Sequence, residues 1–246
     1  MLHFIFAIFL LLFPIVQMKA NPLDHFHVCT VASHAHNPHF QQLIASCHKH
    51  QIDIKVLGMG KPFPGLGLKF LLMQEYLETL DENEIVMFVD AFDVLIVADK
   101  EVILNKFLKM QAPFVISAET GCAPHPHLAR KYPLSPTRFR YLNTGGYIGY
   151  VGELKKWFHN MQPLKPNDND QGKATYDFLK NKNFYHLDHF CELFLSLYGV
   201  EENKVQIHKA KGTVYNVLTN TEPCVIHANG RSFTIFDKIY NQLINE

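Results

Sequence analysis

Apolar runs alternate with amphipathic segments along this chain. Four runs have the length and continuous apolar character of buried strands, and they lie at 26–33, 53–60, 84–90 and 113–119. Around them, apolar residues spaced by three and four positions predict helices at 40–50, 68–80 and 102–110. This alternation predicts an α/β fold in which a mostly parallel, Rossmann-like sheet is flanked by helices.

The second half of the chain continues the pattern after a glycine-rich interruption. Residues 139–161 predict a strand broken by glycines and then a helix that ends near Met161. Residues 162–173 predict a polar loop, and another helix is expected from about Ala174.

The tail predicts a strand that enters a turn at 221–230 and a closing helix at 233–244. The sequence contains no internal repeat, low-complexity tract or clear linker. We therefore expect one domain that spans residues 22–246.

The composition allows a large core and excludes one class of partner. Of the 246 residues, 48% are apolar and 19% are charged, which suits one α/β domain or two small ones. Lysines plus arginines equal aspartates plus glutamates at 23 each, so the chain lacks the positive field of a nucleic-acid-binding protein. Most of the 15 histidines are scattered singly, which favours ordinary surface or core positions.

The N-terminus predicts a secretory signal peptide. Residues 4–16 form an apolar run as long as a signal-peptide core but short for a membrane span. Met18, Lys19 and Ala20 then offer a cleavage site, which gives a signal peptide at 1–20 and a secreted or lumenal protein. Because the run is preceded by neither Lys nor Arg, an uncleaved anchor that would hold the protein at a membrane is the alternative.

The five cysteines are an odd number without C-x-x-C spacing. This pattern argues against a zinc cluster and against a dense disulfide scaffold. Cys29 and Cys224 lie in apolar runs and are predicted to be buried thiols. The spacing is compatible with one or two disulfides, but it does not indicate which cysteines would pair.

Several polar residues lie at or just past the ends of the predicted strands: Asp90 and Asp93, Glu119, Asn143, and His227. In open α/β sheets, ligands bind outside the carboxyl ends of the strands, so these side chains are expected to meet at one edge. The two aspartates are compatible with a turn cap or with a site for Mn²⁺ or Mg²⁺. An imidazole from His227 would suit Mn²⁺ better than Mg²⁺.

Two polar segments each allow a structural and a functional interpretation. The glycines of 142–149 suit a strained turn or bulge, or a turn whose amides and Asn143 bind sugar hydroxyls. The segment 167–171 suits a solvated loop or a movable catalytic carboxylate. The glycines of 64–69 match neither the phosphate-loop nor the dinucleotide pattern.

His186 and Asp188 match the start of an iron-binding triad, with His227 as a third ligand. Such a site would make the protein an oxygenase. Those sites usually lie in a double-stranded β-helix of many short strands, whereas this chain alternates long strands with helices. The pattern therefore argues against an oxygenase.

Taken together, the motifs resemble the glycosyltransferase domain of the multifunctional procollagen lysyl hydroxylases, and the shorter collagen-type galactosyltransferases are a more distant comparison. The resemblance implies a GT-A-type domain that uses a UDP-sugar and Mn²⁺. Its motifs cover most of the chain in the same order: TVAS, GLGLKFLLMQEYL, IVMFVDAFDV, FVISAETGCAP, ARKYP, RYLNTGGYIGY, NDNDQ, LDHFCELF and VIHANG. The combination of FVDAFDV with YLNTGGYIGY is highly specific.

The resemblance also implies roles for individual residues. The implied metal ligands are Asp90, Asp93 and His227. The implied donor-binding residues are Thr30, Lys69, Phe92, Asn143, Thr144, Gly145, Gly146, Asn229, Gly230 and Arg231. The implied catalytic residues are Asp170 and Asn143.

The chain departs from the family pattern at three places. The acidic loop is reduced to 168–170, Ala123 replaces a tryptophan associated with the acceptor, and Phe233 replaces a lysine that binds the diphosphate. Arg231 is a candidate substitute for that lysine, since a guanidinium pairs well with phosphate.

The sequence therefore predicts transfer of glucose or galactose from a UDP-sugar to a protein or glycan hydroxyl, hydroxylysine included, with Mn²⁺, or Mg²⁺ in its place. Two alternatives come from other functional classes. One is a non-catalytic module that binds a nucleotide sugar or a glycan. The other is a metal-dependent phosphohydrolase in which Asp90 attacks or positions phosphate.

Overall fold

A computed structural model describes residues 22–245 of the chain. The predicted signal peptide at 1–20 lies outside the described residues. Within 22–245, every helix is too short or too polar to cross a membrane.

The described chain contains eleven strands and six α-helices. The strands are β1 (Phe26–Val31), β2 (Ile54–Leu57), β3 (Ile85–Val89), β4 (Val94–Ile96), β5 (Phe114–Glu119), β6 (Tyr141–Tyr150), β7 (His186–Asp188), β8 (Phe194–Ser196), β9 (Val205–His208), β10 (Thr213–Asn216) and β11 (Val225–His227). The helices are α1 (Pro38–Lys49), α2 (Gly67–Leu77), α3 (Lys100–Lys109), α4 (Val151–Asn160), α5 (Asp170–Lys180) and α6 (Phe233–Ile239).

The central sheet has six strands in the order β2-β1-β3-β6-β5-β7. β1 pairs in parallel with β2 and β3, and β5 pairs in parallel with β7. β6 is antiparallel to both of its neighbours, β3 and β5. The predicted α/β architecture with a largely parallel sheet is confirmed, with β6 as its reversed strand.

The predicted break in the glycine-rich strand is a bulge inside one continuous strand. Along β5, Ile116 pairs with Tyr147 whereas the next residue, Ser117, pairs with Asn143. The three residues 144–146 therefore have no partner on β5, and they bend β6 locally. Gly146 lies in this bulge against the ring of Phe194, which a β-carbon at position 146 would approach to 2.6 Å.

A second sheet of three short strands, β4-β11-β8, completes the edge where the strands end. β11 is antiparallel to β4 and parallel to β8, so His227 pairs with Val94 on one side and with Ser196 on the other. β4 lies within the apolar run that also contains β3, and the turn at 90–93 separates the two strands.

The helices agree with the prediction apart from their ends. α5 begins at Asp170, four residues before the predicted start, because the Asn169 side chain caps it by accepting a hydrogen bond from Gly172 N at 2.7 Å. The closing helix is α-helical through Ile239 and then forms a π-turn at Tyr240–Ile244. The β9–β10 hairpin has no counterpart in the prediction.

The core is rich in aromatic rings packed between α4 and the sheet. Trp157 is fully buried, and its indole N–H donates to the hydroxyl of Tyr185 at 2.8 Å. All five cysteines lie within the described residues and all are free, which answers the question of disulfides left open by the sequence. Cys29 and Cys224 are buried, as predicted.

Candidate functional site

Two adjoining cavities open where the carboxyl ends of the strands meet. Their volumes are about 570 Å³ and about 430 Å³, and Leu66, Lys69, Asp90 and Asp93 line both. The larger, here called the inner cavity, is also lined by Glu119, Asn143, Thr144, Gly145, Asp170, His227, Asn229 and Gly230. The smaller, here called the outer cavity, is also lined by Asn37, His39, Phe92, Arg231 and Phe233.

Asp90, Asp93 and His227 form a compact triad at the junction of these cavities. The aspartates lie in the turn between β3 and β4, and His227 is the last residue of β11. One ligand atom from each residue lies within 4.8 Å of the other two. His227 Nε2 is 3.2 Å from Asp93 Oδ2 and 4.0 Å from Asp90 Oδ2.

The chemistry of this triad fits a divalent cation. Two carboxylates and an imidazole are a donor set that Mn²⁺ accepts. His227 Nδ1 is buried and has no hydrogen-bond partner among the described residues, so the ring is not tied into another part of the fold. A backbone hydrogen bond instead joins the turn at 90–93 to the end of β11, since Ala228 N donates to Asp93 O at 2.7 Å.

Gly145 makes room for His227. A β-carbon at position 145 would lie 2.1 Å from His227 Cε1 and 2.6 Å from Nδ1, far inside van der Waals contact. The carbonyl of Gly145 also accepts a hydrogen bond from Asp90 N at 3.0 Å. The bulge in β6 therefore positions both an aspartate and the histidine of the triad.

The charges in the triad depend on one another. Burial lowers the pKa of His227, but Asp93 and Asp90 raise it more, and it lies above its ordinary value. Burial raises the pKa of Asp93, but His227, Lys69 and His39 lower it, and it lies below its ordinary value. Burial raises the pKa of Asp90. Lys69 lowers that pKa, but by less, so it lies above its ordinary value.

Lys69 holds two carboxylates at once. Its ammonium nitrogen lies 2.7 Å from Asp90 Oδ1 and 2.6 Å from Asp170 Oδ2, and the side chain is 9% exposed. α2 reaches this position because Gly67 packs against the loop before α5, where a β-carbon would meet Lys165 O at 2.1 Å. Lys69 therefore links α2, the turn at 90–93 and the start of α5.

Glu119 organises the inner cavity, although the sequence suggested no role for it beyond its place at a strand end. It is 3% exposed, and its carboxylate accepts hydrogen bonds from Asn143 at 3.0 Å, Gln171 at 2.7 Å and Asn229 at 2.8 Å. Burial raises its pKa, and these three amides oppose that effect. Glu119 thus fixes amide groups from three separate parts of the chain.

The amides held by Glu119 are fixed at their carbonyl ends too. Asn143 Oδ1 accepts from Gly145 N at 2.9 Å, and Asn229 Oδ1 accepts from Tyr198 N at 2.9 Å. Asp170 joins the same wall, since its Oδ2 accepts from the hydroxyl of Thr144 at 3.3 Å. The inner cavity is therefore lined by polar groups with set orientations.

The outer cavity has an aromatic and basic character. Phe92 is half-buried between the two aspartates, and His34 stacks on its ring with centroids 5.2 Å apart. Arg231 is exposed and forms no ion pair within residues 22–245. Its backbone has a φ of 66°, and that of the preceding Gly230 is 63°.

Two predicted site residues do not reach either cavity. Thr30 is fully buried in β1, and its hydroxyl lacks a partner among the residues that the structure describes. Gly146 packs against the ring of Phe194 and lines neither cavity. The other predicted residues are brought together around the two cavities.

The iron-binding alternative fails on geometry. Asp188 is buried and accepts backbone N–H bonds from Glu192, Leu193 and Phe194 at 2.8–2.9 Å, so it caps a turn. His186 is exposed, two positions before Asp188 on the same strand. Within the described chain, the only group of three metal-ligating side chains is the Asp90, Asp93 and His227 triad.

Three residues that line the cavities were not among the predicted site residues. Gln171 contacts Glu119 and also donates to Ala123 O at 2.9 Å. Tyr198 follows β8, and His39 lies in the first turn of α1. A polar residue at the end of a predicted strand was a usable signal for Glu119, whereas nothing in the local pattern marks His39 or Tyr198.

Comparison with known proteins agrees with this geometry. The family model described as PLOD GT domain matches residues 22–246. Procollagen-lysine,2-oxoglutarate 5-dioxygenase 2 of Mus musculus is 31% identical over 239 residues, which cover 91% of this chain and 32% of that protein. The multifunctional procollagen lysine hydroxylase and glycosyltransferase of Caenorhabditis elegans is 31% identical over 223 residues, covering 83% of this chain and 30% of that protein.

The chain thus spans about a third of the length of these curated relatives. Among solved structures, a glycosyltransferase involved in the glycosylation of the major capsid of PBCV-1 matches with a TM-score of 0.51 and 10% sequence identity. That match covers 87% of this chain and 98% of the other. At this identity, it supports the fold alone.

Proposed function

Because the chain belongs to the family of PLOD GT domains, we propose that it transfers a hexose, glucose or galactose, from a UDP-sugar to a hydroxyl group of a protein or a glycan. The proposed metal ion is Mn²⁺, with Mg²⁺ as the substitute.

One observation carries this proposal: the triad of Asp90, Asp93 and His227 lies where the outer and inner cavities meet. A diphosphate bound at the triad would have a nucleoside on the side of Phe92 and a sugar on the side of Asn143. The two cavities on either side of one metal site therefore match the two ends of a nucleotide sugar.

The triad would hold the metal ion, which supplies Lewis-acid stabilisation of negative charge on the departing diphosphate. On the outer side, the ring of Phe92 would support the uracil, and the unpaired guanidinium of Arg231 would bind phosphate oxygens. Lys69 keeps Asp90 in place through its 2.7 Å ion pair.

On the inner side, Asn143 and the backbone of Thr144 and Gly145 would bind the hydroxyls of the donor sugar. Their positions are set by Glu119, by the bulge in β6 and by Asp170. Asp170 is the carboxylate proposed to orient the acceptor hydroxyl, and its 2.6 Å ion pair with Lys69 fixes its position at the wall of the inner cavity.

We also propose that the protein acts in the secretory pathway. The apolar leader at residues 4–16 supports this proposal. Expression in a secreting cell should release protein that begins after Ala20. Retention of the leader in membrane fractions would support the uncleaved anchor instead.

A donor panel tests the function. The purified chain is incubated with Mn²⁺ and each UDP- or GDP-sugar, and nucleotide release is measured with and without a chelator. We expect release from a UDP-hexose that needs the metal and is lost in Asp93→Ala. No release from any UDP-sugar would contradict the proposal.

The same panel separates the alternatives. Tight UDP binding with no turnover would support a nucleotide-sugar-binding module. Release of inorganic phosphate without sugar transfer would support a phosphohydrolase.

A further inference from the structure

The charge of the lysine in the candidate site is already balanced by protein carboxylates. Lys69 is buried and already pairs with Asp90 and Asp170. The two aspartates of the triad in turn balance the charge of a divalent cation. A nucleoside diphosphate therefore needs further donors, and the outer cavity is where they must lie.

His39 is such a donor in the outer cavity, beside Arg231. It is half-buried in the first turn of α1, and its own backbone N–H donates to the side chain of Asn37 at 2.8 Å. Neither ring nitrogen of His39 takes part in a hydrogen bond within residues 22–245. The ring lies close enough to the turn at 90–93 to help lower the pKa of Asp93, whereas burial of Asp93 raises that pKa.

Two phenylalanines fix the orientation of the His39 ring. Phe233 stacks on it with centroids 4.2 Å apart and planes 11° from parallel. Phe236 meets it edge-on, with centroids 5.7 Å apart and planes at 81°. These two contacts restrain the ring while His39 still lines the outer cavity.

We propose that His39 binds the diphosphate of the nucleotide donor through a ring N–H, together with Arg231, and that Phe233 holds His39 in place for this contact. The inference rests on the proposed function, since it assumes a nucleotide donor in the outer cavity. A neutral imidazole already carries one N–H, so the contact requires no change of protonation.

A different role for the same ring is stacking against the base or the ribose. Stacking depends on the ring itself, whereas the diphosphate contact depends on its N–H. Two substitutions separate these roles. His39→Phe keeps a ring that packs on Phe233 but has no donor, and His39→Gln keeps an N–H donor but has no ring.

The experiment measures equilibrium binding of uridine, UMP and UDP to the full chain in the presence of Mn²⁺. We expect His39→Phe to weaken UDP binding about tenfold and to change uridine binding by less than about twofold, as for the loss of a hydrogen bond to a charged group. His39→Gln should recover most of the UDP affinity. His36→Ala, which replaces an exposed histidine of the same segment, is the matched control and should bind all three ligands as the wild type does.

The outcomes are distinct. Normal UDP binding by His39→Phe would overturn the inference, and equal losses for uridine and UDP would assign the ring to stacking and overturn it as well. If the wild-type chain binds none of the three ligands, the proposed function itself fails. Thermal unfolding of each variant shows whether it is folded. If the Phe variant is unfolded, the Gln variant tests the inference independently.

Discussion

Replacing Gly145 with alanine should displace His227 and weaken metal binding. The added β-carbon would lie 2.1 Å from His227 Cε1, which is about 1.4 Å short of ordinary carbon–carbon contact. The neighbouring backbone cannot absorb this distance easily, because Gly145 O is held by Asp90 N and Gly146 pairs with Val89. The imidazole therefore has to move.

The size of the effect follows from the tolerance of metal sites. Ligand distances vary by only about 0.2 Å in working sites, and a misplacement of about 1 Å at a functional group costs on the order of a hundredfold in activity. We expect Gly145→Ala to lower Mn²⁺ affinity, measured by calorimetric titration in the presence of UDP, by about ten- to hundredfold.

Gly152→Ala is the matched control. This glycine lies in α4, where an added β-carbon would be 3.3 Å from the nearest atom, in the side chain of Glu82. The control should bind Mn²⁺ like the wild type. Unchanged Mn²⁺ affinity in a folded Gly145→Ala variant would refute the reasoning that this glycine sets the position of His227.

Three further predictions follow from buried polar groups. Glu119→Gln should lower the free energy of unfolding in urea by about 1–3 kcal/mol, because an amide cannot accept from all three amide donors; unchanged stability would show that those bonds are dispensable. Lys69→Met should cost about 3–5 kcal/mol, because it leaves Asp90 and Asp170 buried without a partner, and adding Asp170→Asn should recover part of the loss. A loss below about 1 kcal/mol would place this ion pair with ordinary surface pairs. Under native conditions, only Cys122 should react with a disulfide reagent, because it is partly exposed whereas the other four thiols are buried; rapid labelling of more than one thiol would contradict the packing.

The candidate metal triad was accessible from the sequence because two simple rules converge on it. Each of its members lies at the end of an apolar run, and the carboxyl ends of strands share one edge of an α/β sheet. The resemblance to a known family then ordered the candidates. His227 does lie beside Asp90 and Asp93, although it is 134 positions beyond Asp93 in the chain.

The bulge and the short strands were harder to predict. Gly145, Gly146 and Gly149 predicted a broken strand, but pairing with β3 keeps β6 continuous while the register changes only along β5. β4 has three residues and shares one apolar run with β3, so periodicity alone cannot separate them. The β9–β10 hairpin is stabilised by cross-strand pairing, which no local pattern reports.

Roles that depend on tertiary contacts were out of reach. The sequence shows Glu119 at a strand end, but not the three amides that converge on its carboxylate. It shows Lys69 in a helix, but not that Asp90 and Asp170 both pair with it. For His39, availability for a ligand depends on packing against Phe233, nearly two hundred positions away in the chain.

The central claim is that Asp90, Asp93 and His227 hold a metal ion that binds the diphosphate of a nucleotide sugar. Anomalous diffraction from crystals grown with Mn²⁺ and UDP tests it most directly. The account predicts one anomalous peak coordinated by these three side chains and by diphosphate oxygens, with the uridine in the outer cavity beside Phe92. A manganese ion bound elsewhere, or UDP bound away from the triad, would contradict it.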